Sequence, residues 1–134
     1  MKEPVWVLPE VAIAVHRMVL AEHGGSDGLR DESLLDSALA RPRQRFTYGG
    51  EPSIFELAAS YSYGLARNHP FIDGNKRIAL TIGALFLELN GYSLQAPEPE
   101  TVVIFKQLAA GNRAEQDLAN WFREWSFPNG REMK

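Results

Sequence analysis

From Ile78 to Leu89 the chain is polar only at Thr81 and Glu88. Laid on a helix, Ile78, Ile82, Leu85, Phe86 and Leu89 form one apolar stripe, while Ala79, Leu80, Ala84 and Leu87 cover the other sides. A helix that is apolar nearly all round is stable only where other elements cover it. The stretch is about half the ~20 residues that a membrane crossing needs, so the cover must be protein. The chain is therefore expected to be a bundle with this helix in its centre.

The flanking segments supply the cover. Pro9 suits the first turn of a helix; Val11, Val15, Met18 and Val19 then give an apolar stripe, Glu22 its polar edge, and Gly24-Gly25 an end. After the loop from Ser26 to Arg30, Asp31 is a good N-cap for a helix carrying Leu34, Leu35, Ala38 and Leu39, which Pro42 is expected to stop. Residues 43–51, with Phe46-Thr47-Tyr48 and Gly49-Gly50, read as an exposed loop or a short β-flap. Ser53 and Glu56 form a capping box, and Ile54, Leu57, Ala58, Tyr61 and Leu65 follow at the helical period. Gly91 ends the apolar helix. Pro97 and Pro99 introduce a fifth helix through Ala110, closed by Gly111, and Leu118, Trp121, Phe122 and Trp125 mark a sixth. The predicted fold is all-α: a single domain over residues 1–134, about six helices in a compact bundle, no strand, and a flexible tail from about Pro128.

Composition narrows the function. A length of 134 residues suits one core. With no cysteine, disulfides, thiolate metal sites and thiol nucleophiles are excluded. A net charge of −3 argues against a broad basic surface for nucleic acid, so any phosphate binding must be local. The run Met1-Lys-Glu-Pro-Val-Trp6 is too short in apolar residues for a signal peptide. The expectation is a soluble, cytoplasmic chain with no membrane segment and no direct nucleic-acid binding.

Chemistry is concentrated between the third and fourth helices, in His69-Pro-Phe-Ile-Asp-Gly-Asn-Lys-Arg77. Pro70 pushes His69 out of helical conformation, so the imidazole sits at a helix end. Phe71 is the natural apolar anchor of the loop, and Gly74 permits positive φ or close approach. The next helix starts near Asn75, and its first turn offers backbone N–H groups without intrahelical partners, a ready anion site. Lys76 and Arg77 stand at that same end, where cations are unfavourable unless an anion joins them. Phosphate is the obvious anion, with Arg77 able to grip it bidentately. Asp73 puts a carboxylate beside it, able to hold Mg²⁺ bridging phosphates. His69, with an ordinary pKa near ~6.5, is the best local base for a hydroxyl. Taken singly, each feature has a plain reading: a helix-end His, an Asp-Gly-Asn turn, solvated cations. Their coincidence before an apolar helix points to phosphoryl transfer.

This segment resembles the motif of the Fic/Doc superfamily, His-x-Phe-x-(Asp/Glu)-(Gly/Ala)-Asn-(Gly/Lys)-Arg. Lys76, where AMP-transferring Fic proteins usually have Gly, resembles the Doc (death-on-curing) branch, as do the short length, Gly28-Leu-Arg-Asp31 and Leu34-Leu-Asp-Ser-Ala-Leu-Ala-Arg-Pro42. The resemblance implies an all-α toxin of a type II toxin–antitoxin pair, a kinase that moves the γ-phosphate of ATP to a threonine of elongation factor Tu and arrests translation. It implies His69 as base, Asp73 as Mg²⁺ ligand or acceptor-orienting group, and Gly74, Asn75, Lys76 and Arg77 as the phosphate cradle, with ATP and Mg²⁺ required. Its partner would be a Phd-like antitoxin acting in trans. The inhibitory Ser/Thr-x-x-x-Glu-Gly/Asn motif of many Fic enzymes has its nearest match in Thr47-Tyr-Gly-Gly-Glu51, but Pro52 follows, so the match reads as chance. The alternatives are AMP transfer to a protein hydroxyl and a non-catalytic co-repressor module that binds an antitoxin.

Among the remaining residues, His16 and His23 are expected at the surface or near a helix end. Arg30 and Asp31 are expected to order their loop and cap the second helix, and Trp121, Phe122 and Trp125 to lie in the core.

Overall fold

The computed structural model describes residues 2–130. The elements run α1 (Pro9–His23), α2 (Glu32–Tyr48), α3 (Ile54–Asn68), α4 (Asn75–Leu89), β1 (Tyr92–Leu94), α5 (Glu98–Ala109), α6 (Glu115–Trp125) and β2 (Ser126–Pro128). The chain is thus mostly helical, as its patterning predicts. No helix among the described residues is long and apolar enough to cross a membrane.

Two predicted caps are in place. The Asp31 carboxylate accepts from Leu34 N–H at 3.1 Å. Ser53 Oγ accepts from Glu56 N–H at 3.1 Å while Glu56 accepts from Ser53 N–H at 3.0 Å, which closes the capping box and starts α3. α3 packs on α2, α4, α5 and α6. Its small residues Ala58, Ala59, Ser60, Ser62 and Ala66 are all buried and let neighbours come close. α4 packs along it: Ser62 Oγ donates to Ala79 O at 2.6 Å, and a Cβ at Gly83 would collide with Ser62 Oγ and the Phe122 ring. Gly83 is therefore the contact point of α3, α4 and α6. The apolar α4 lies inside as expected, with Ile78, Ile82, Phe86 and Leu87 fully buried.

Four expectations are corrected. Pro42 does not stop α2; it is buried inside a helix that continues to Tyr48, so residues 43–48 are helical and neither loop nor flap. A mid-helix proline costs about 3 kcal/mol. Tertiary contacts on both sides of it offset that cost: before it Arg41 pairs with Glu115 at 2.8 Å, and beyond it Arg45 pairs with Glu56 at 2.6 Å and Phe46 meets Trp6 edge-on at 5.7 Å. The second correction is the pair β1–β2, an antiparallel ladder with Ser93 opposite Phe127. Pairing gives these segments their conformation, and runs of three residues carry too little alternation to be seen beforehand. The third follows from it, because Pro128 belongs to β2 and not to a loose tail; residues 131–134 of the predicted tail lie outside the described residues. The fourth concerns α1, whose buried face is Ala12, His16 and Val19, whereas Met18 is exposed.

Candidate active site

The site is built where α3 hands over to α4. α3 ends at Asn68, and His69 takes a left-handed conformation with φ 48° and ψ 56°. This costs roughly 1–2 kcal/mol for a residue with a Cβ, so the surroundings must hold it. Arg30 does so: Nε donates to His69 O at 2.7 Å and Nη2 to Asn68 O at 2.8 Å. A cation gripping the last carbonyls of a helix is also favoured by the dipole. Asn68 Nδ2 in turn donates to Leu34 O at 3.0 Å. The Arg30 and Asp31 N–H groups donate to Pro70 O, and Ile72 N–H donates to Gly28 O. The segment from Gly28 to Asp31 therefore lies antiparallel against Pro70 to Ile72.

Phe71 anchors the loop as expected, with its ring 1% exposed. Asn75 clasps its backbone from both sides: Phe71 N–H donates to Asn75 Oδ1 at 3.0 Å and Asn75 Nδ2 donates to Phe71 O at 2.9 Å. The Asn75 side chain is thus committed to the loop, and what it can give a phosphate is its backbone N–H. Asp73 is exposed, with Oδ1 accepting from Gly74 N–H at 2.8 Å and Oδ2 from Ser26 N–H at 3.3 Å. Gly74, at φ 77°, is the N-cap of α4, a conformation open to glycine at little cost.

α4 begins with no side-chain cap and no acidic residue in its first turn. Lys76 and Arg77 project there, and among the described residues neither enters an ion pair. They open, with His69, Asp73, Gly74 and Asn75, onto a cleft of about 630 Å³ whose far wall is Lys106 and Ala109 of α5 and Ala110 just after it. All six residues named from the sequence thus border one space. Lys106 is the cation that sequence reasoning missed. It lies thirty residues from the motif, and only the packing of α5 beside α4 brings it there. Arg30 orders the loop as expected, by clamping its His69 end, whereas His16, expected at the surface, is buried beneath it. The burial of His16 shows in the sequence only as helix register, with His16 four residues after Ala12 and three before Val19.

A base at one helix end faces cations and an uncapped helix N-terminus at another. Such a site can accept a proton from a hydroxyl while polarising a phosphoryl group. No cluster of three or more His, Asp or Glu able to hold a metal occurs among the described residues. Mg²⁺ fits nonetheless, since it is commonly held by one or two carboxylates plus substrate phosphates and water, and Asp73 is exposed beside the start of α4.

The model of the Fic/DOC family matches residues 6–87, and the chain belongs to that family. Within it the similarity lies with the Doc toxins. The chain is 32% identical over 117 residues to "Protein kinase doc" of Escherichia phage P1, covering 87% of this chain and 92% of the phage protein. It is 45% identical over 75 residues to "Toxin Doc" of Mycolicibacterium smegmatis, covering 54% and 57% respectively.

If the cleft is the phosphate site, Lys76→Ala and Arg77→Ala should each raise KM for the nucleotide and, without ATP, should not lower Tm. Each unpaired cation opposes the helix dipole by ~0.3–1 kcal/mol, so its loss relieves the empty site. Nucleotide titrations and melting curves on the two variants check this. Unchanged affinity in both would place the phosphates elsewhere.

Proposed function

We propose that the chain is an ATP-dependent protein kinase toxin that transfers the γ-phosphate to a hydroxyl of a translation factor, elongation factor Tu being the expected target. The observation that carries this is the convergence of Lys76, Arg77 and Lys106 on the uncapped start of α4, in the cleft that His69 borders. His69 takes the proton of the acceptor hydroxyl. The α4 N–H groups and the three cations hold the phosphates and take up negative charge as it shifts to the leaving group. Asp73 would orient the acceptor or hold Mg²⁺, which would supply neutralising charge for the phosphates. The name of the phage relative, a protein kinase, supports the same direction of transfer. The test is to incubate the purified chain with bacterial lysate and ATP labelled at the α- or the γ-phosphate. Protein is expected to take up γ-label only; uptake of α-label only would establish AMP transfer, for which Lys76 crowds the site that a Gly would open.

We further propose restraint in trans by an antitoxin. Two grooves adjoin the cleft and share Arg77 and Leu80: one of about 190 Å³ against Val15, Met18 and Val19 of α1, the other of about 380 Å³ against Val102 and Phe105 of α5. Met18 and Val102 are 68% and 61% exposed, which suits the apolar face of a partner helix. Expressed alone in bacteria, the chain is expected to arrest growth, and co-expression with its antitoxin should restore it. Normal growth at verified soluble levels of the unaccompanied chain would refute the toxin reading.

A further inference from the structure

His16 has no role in the chemistry above, yet its side chain is tied to the motif loop. It occupies the inner face of α1 and is 1% exposed. A buried imidazole is costly unless its nitrogens find partners. His16 Nε2 lies 2.9 Å from Asp73 O; because that partner is a carbonyl, Nε2 carries the proton and donates. The ring lies flat on Phe71, with centroids 3.7 Å apart and planes 11° from parallel. Both partners belong to the motif loop.

The loop after α1 reaches Asp73 a second time. Ser26 N–H, just past the end of α1, donates to its carboxylate. A Cβ at Gly25 would stand 2.9 Å from Asp73 Oδ2, so the turn closes tightly on that oxygen. α1 therefore holds the Asp73 carbonyl through His16, and the loop that follows it holds the carboxylate through Ser26. The cations of the cleft sit on α4 and α5 and receive nothing from His16. A leucine would fill the space and satisfy helix propensity equally well, but it would leave the Asp73 carbonyl free to turn.

We propose that His16 is a positioning residue: by holding the Asp73 carbonyl and the Phe71 ring it fixes how the Asp73 carboxylate is presented beside the start of α4. Its kinetic consequence rests on the phosphotransfer reading; its effect on the loop does not. Losing the bond lets the peptide between Asp73 and Gly74 rotate. The Asp73 carboxylate is then misplaced for the transfer step, while the α4 N–H groups, Lys76, Arg77 and Lys106 still bind the nucleotide.

Two variants separate this from core packing. His16→Phe keeps a flat ring against Phe71 and removes the donor, and His16→Gln brings an amide donor to nearly the same place without the ring. Transfer by His16→Phe is expected to show kcat lowered about 10- to 100-fold, the scale of an ångström-sized misplacement, with KM for ATP within about twofold. His16→Gln should recover much of kcat. A wild-type kcat in His16→Phe, or equal losses in both variants, would overturn the proposal. A second measurement needs no activity: amide hydrogen exchange across Phe71 to Asn75 and calorimetric binding of Mg·ATP. Faster exchange at residues 72–74 in His16→Phe, with unchanged binding and slower exchange again in His16→Gln, supports it; unaltered exchange in His16→Phe overturns it. Should the wild-type chain transfer no phosphate, the functional reading fails while the exchange measurement still decides the role of His16.

Discussion

His69→Ala is expected to slow transfer by about 10²–10⁴-fold, the usual cost of losing a positioned general base, with the fold intact. His69 is exposed and its imidazole makes no hydrogen bond among the described residues. Its removal therefore opens no cavity and orphans no partner. The backbone contacts that shape the loop end, from Arg30 to the carbonyls of Asn68 and His69, do not involve the ring. Alanine bears the same left-handed backbone as histidine at φ 48°. Turnover and a thermal melt on one preparation check both halves of this expectation, and wild-type turnover would remove His69 from the chemistry.

Phe71→Ala should be the most damaging change in the loop, costing about 3–5 kcal/mol of stability, the range for a buried phenylalanine truncated to alanine. The ring is fully enclosed, and its face is the surface on which His16 lies. Truncation leaves a void under the motif loop and exposes the face of the His16 imidazole to it. Transfer should fall together with stability, because the Asn75 clasp on the Phe71 backbone holds the first residue of α4 in register with the loop. Phe71→Leu retains most of the volume and should cost less than about 1.5 kcal/mol. Urea denaturation of the two variants gives the comparison; a loss below 1 kcal/mol for the alanine variant would mean that the ring does not anchor the loop.

What the sequence discloses and what it hides divide along a physical line. Helices were legible where local chemistry decides them: the Ser53–Glu56 box, the Asp31 cap and the apolar run of α4 need no knowledge of the rest of the chain. The six site residues were legible for the same reason, lying within nine positions around one helix junction. Features set by distant contacts were not. Pro42 reads as a stop because local rules disfavour it, and distant contacts carry the helix past it: the ion pairs of Arg45 with Glu56 and Glu115 and the packing of Phe46 on Trp6. Lys106 is an ordinary lysine until α5 packs beside α4. His16 reads as polar and hence superficial. Helix register places it with Ala12 and Val19, and register proved the better guide because the Asp73 carbonyl supplies the bond that makes its burial tolerable.

The far end of α4 from the catalytic loop collects both ends of the described chain. Val5 exchanges hydrogen bonds with the Asn90 side chain, while Asn129 donates to the carbonyls of Gly91 and Glu88. These anchors lie one helix length from Asn75, roughly 22 Å at ~1.5 Å per residue. Labels or fusions attached beyond residues 5 and 129 therefore ride on the quiet pole of the molecule. The chain is also a natural candidate for circular permutation: a short linker joining the neighbourhood of Val5 to that of Asn129, with new termini opened at the exposed turn around Gly50 between α2 and α3, would reorder the gene while leaving every residue of the cleft on an uncut helix or loop.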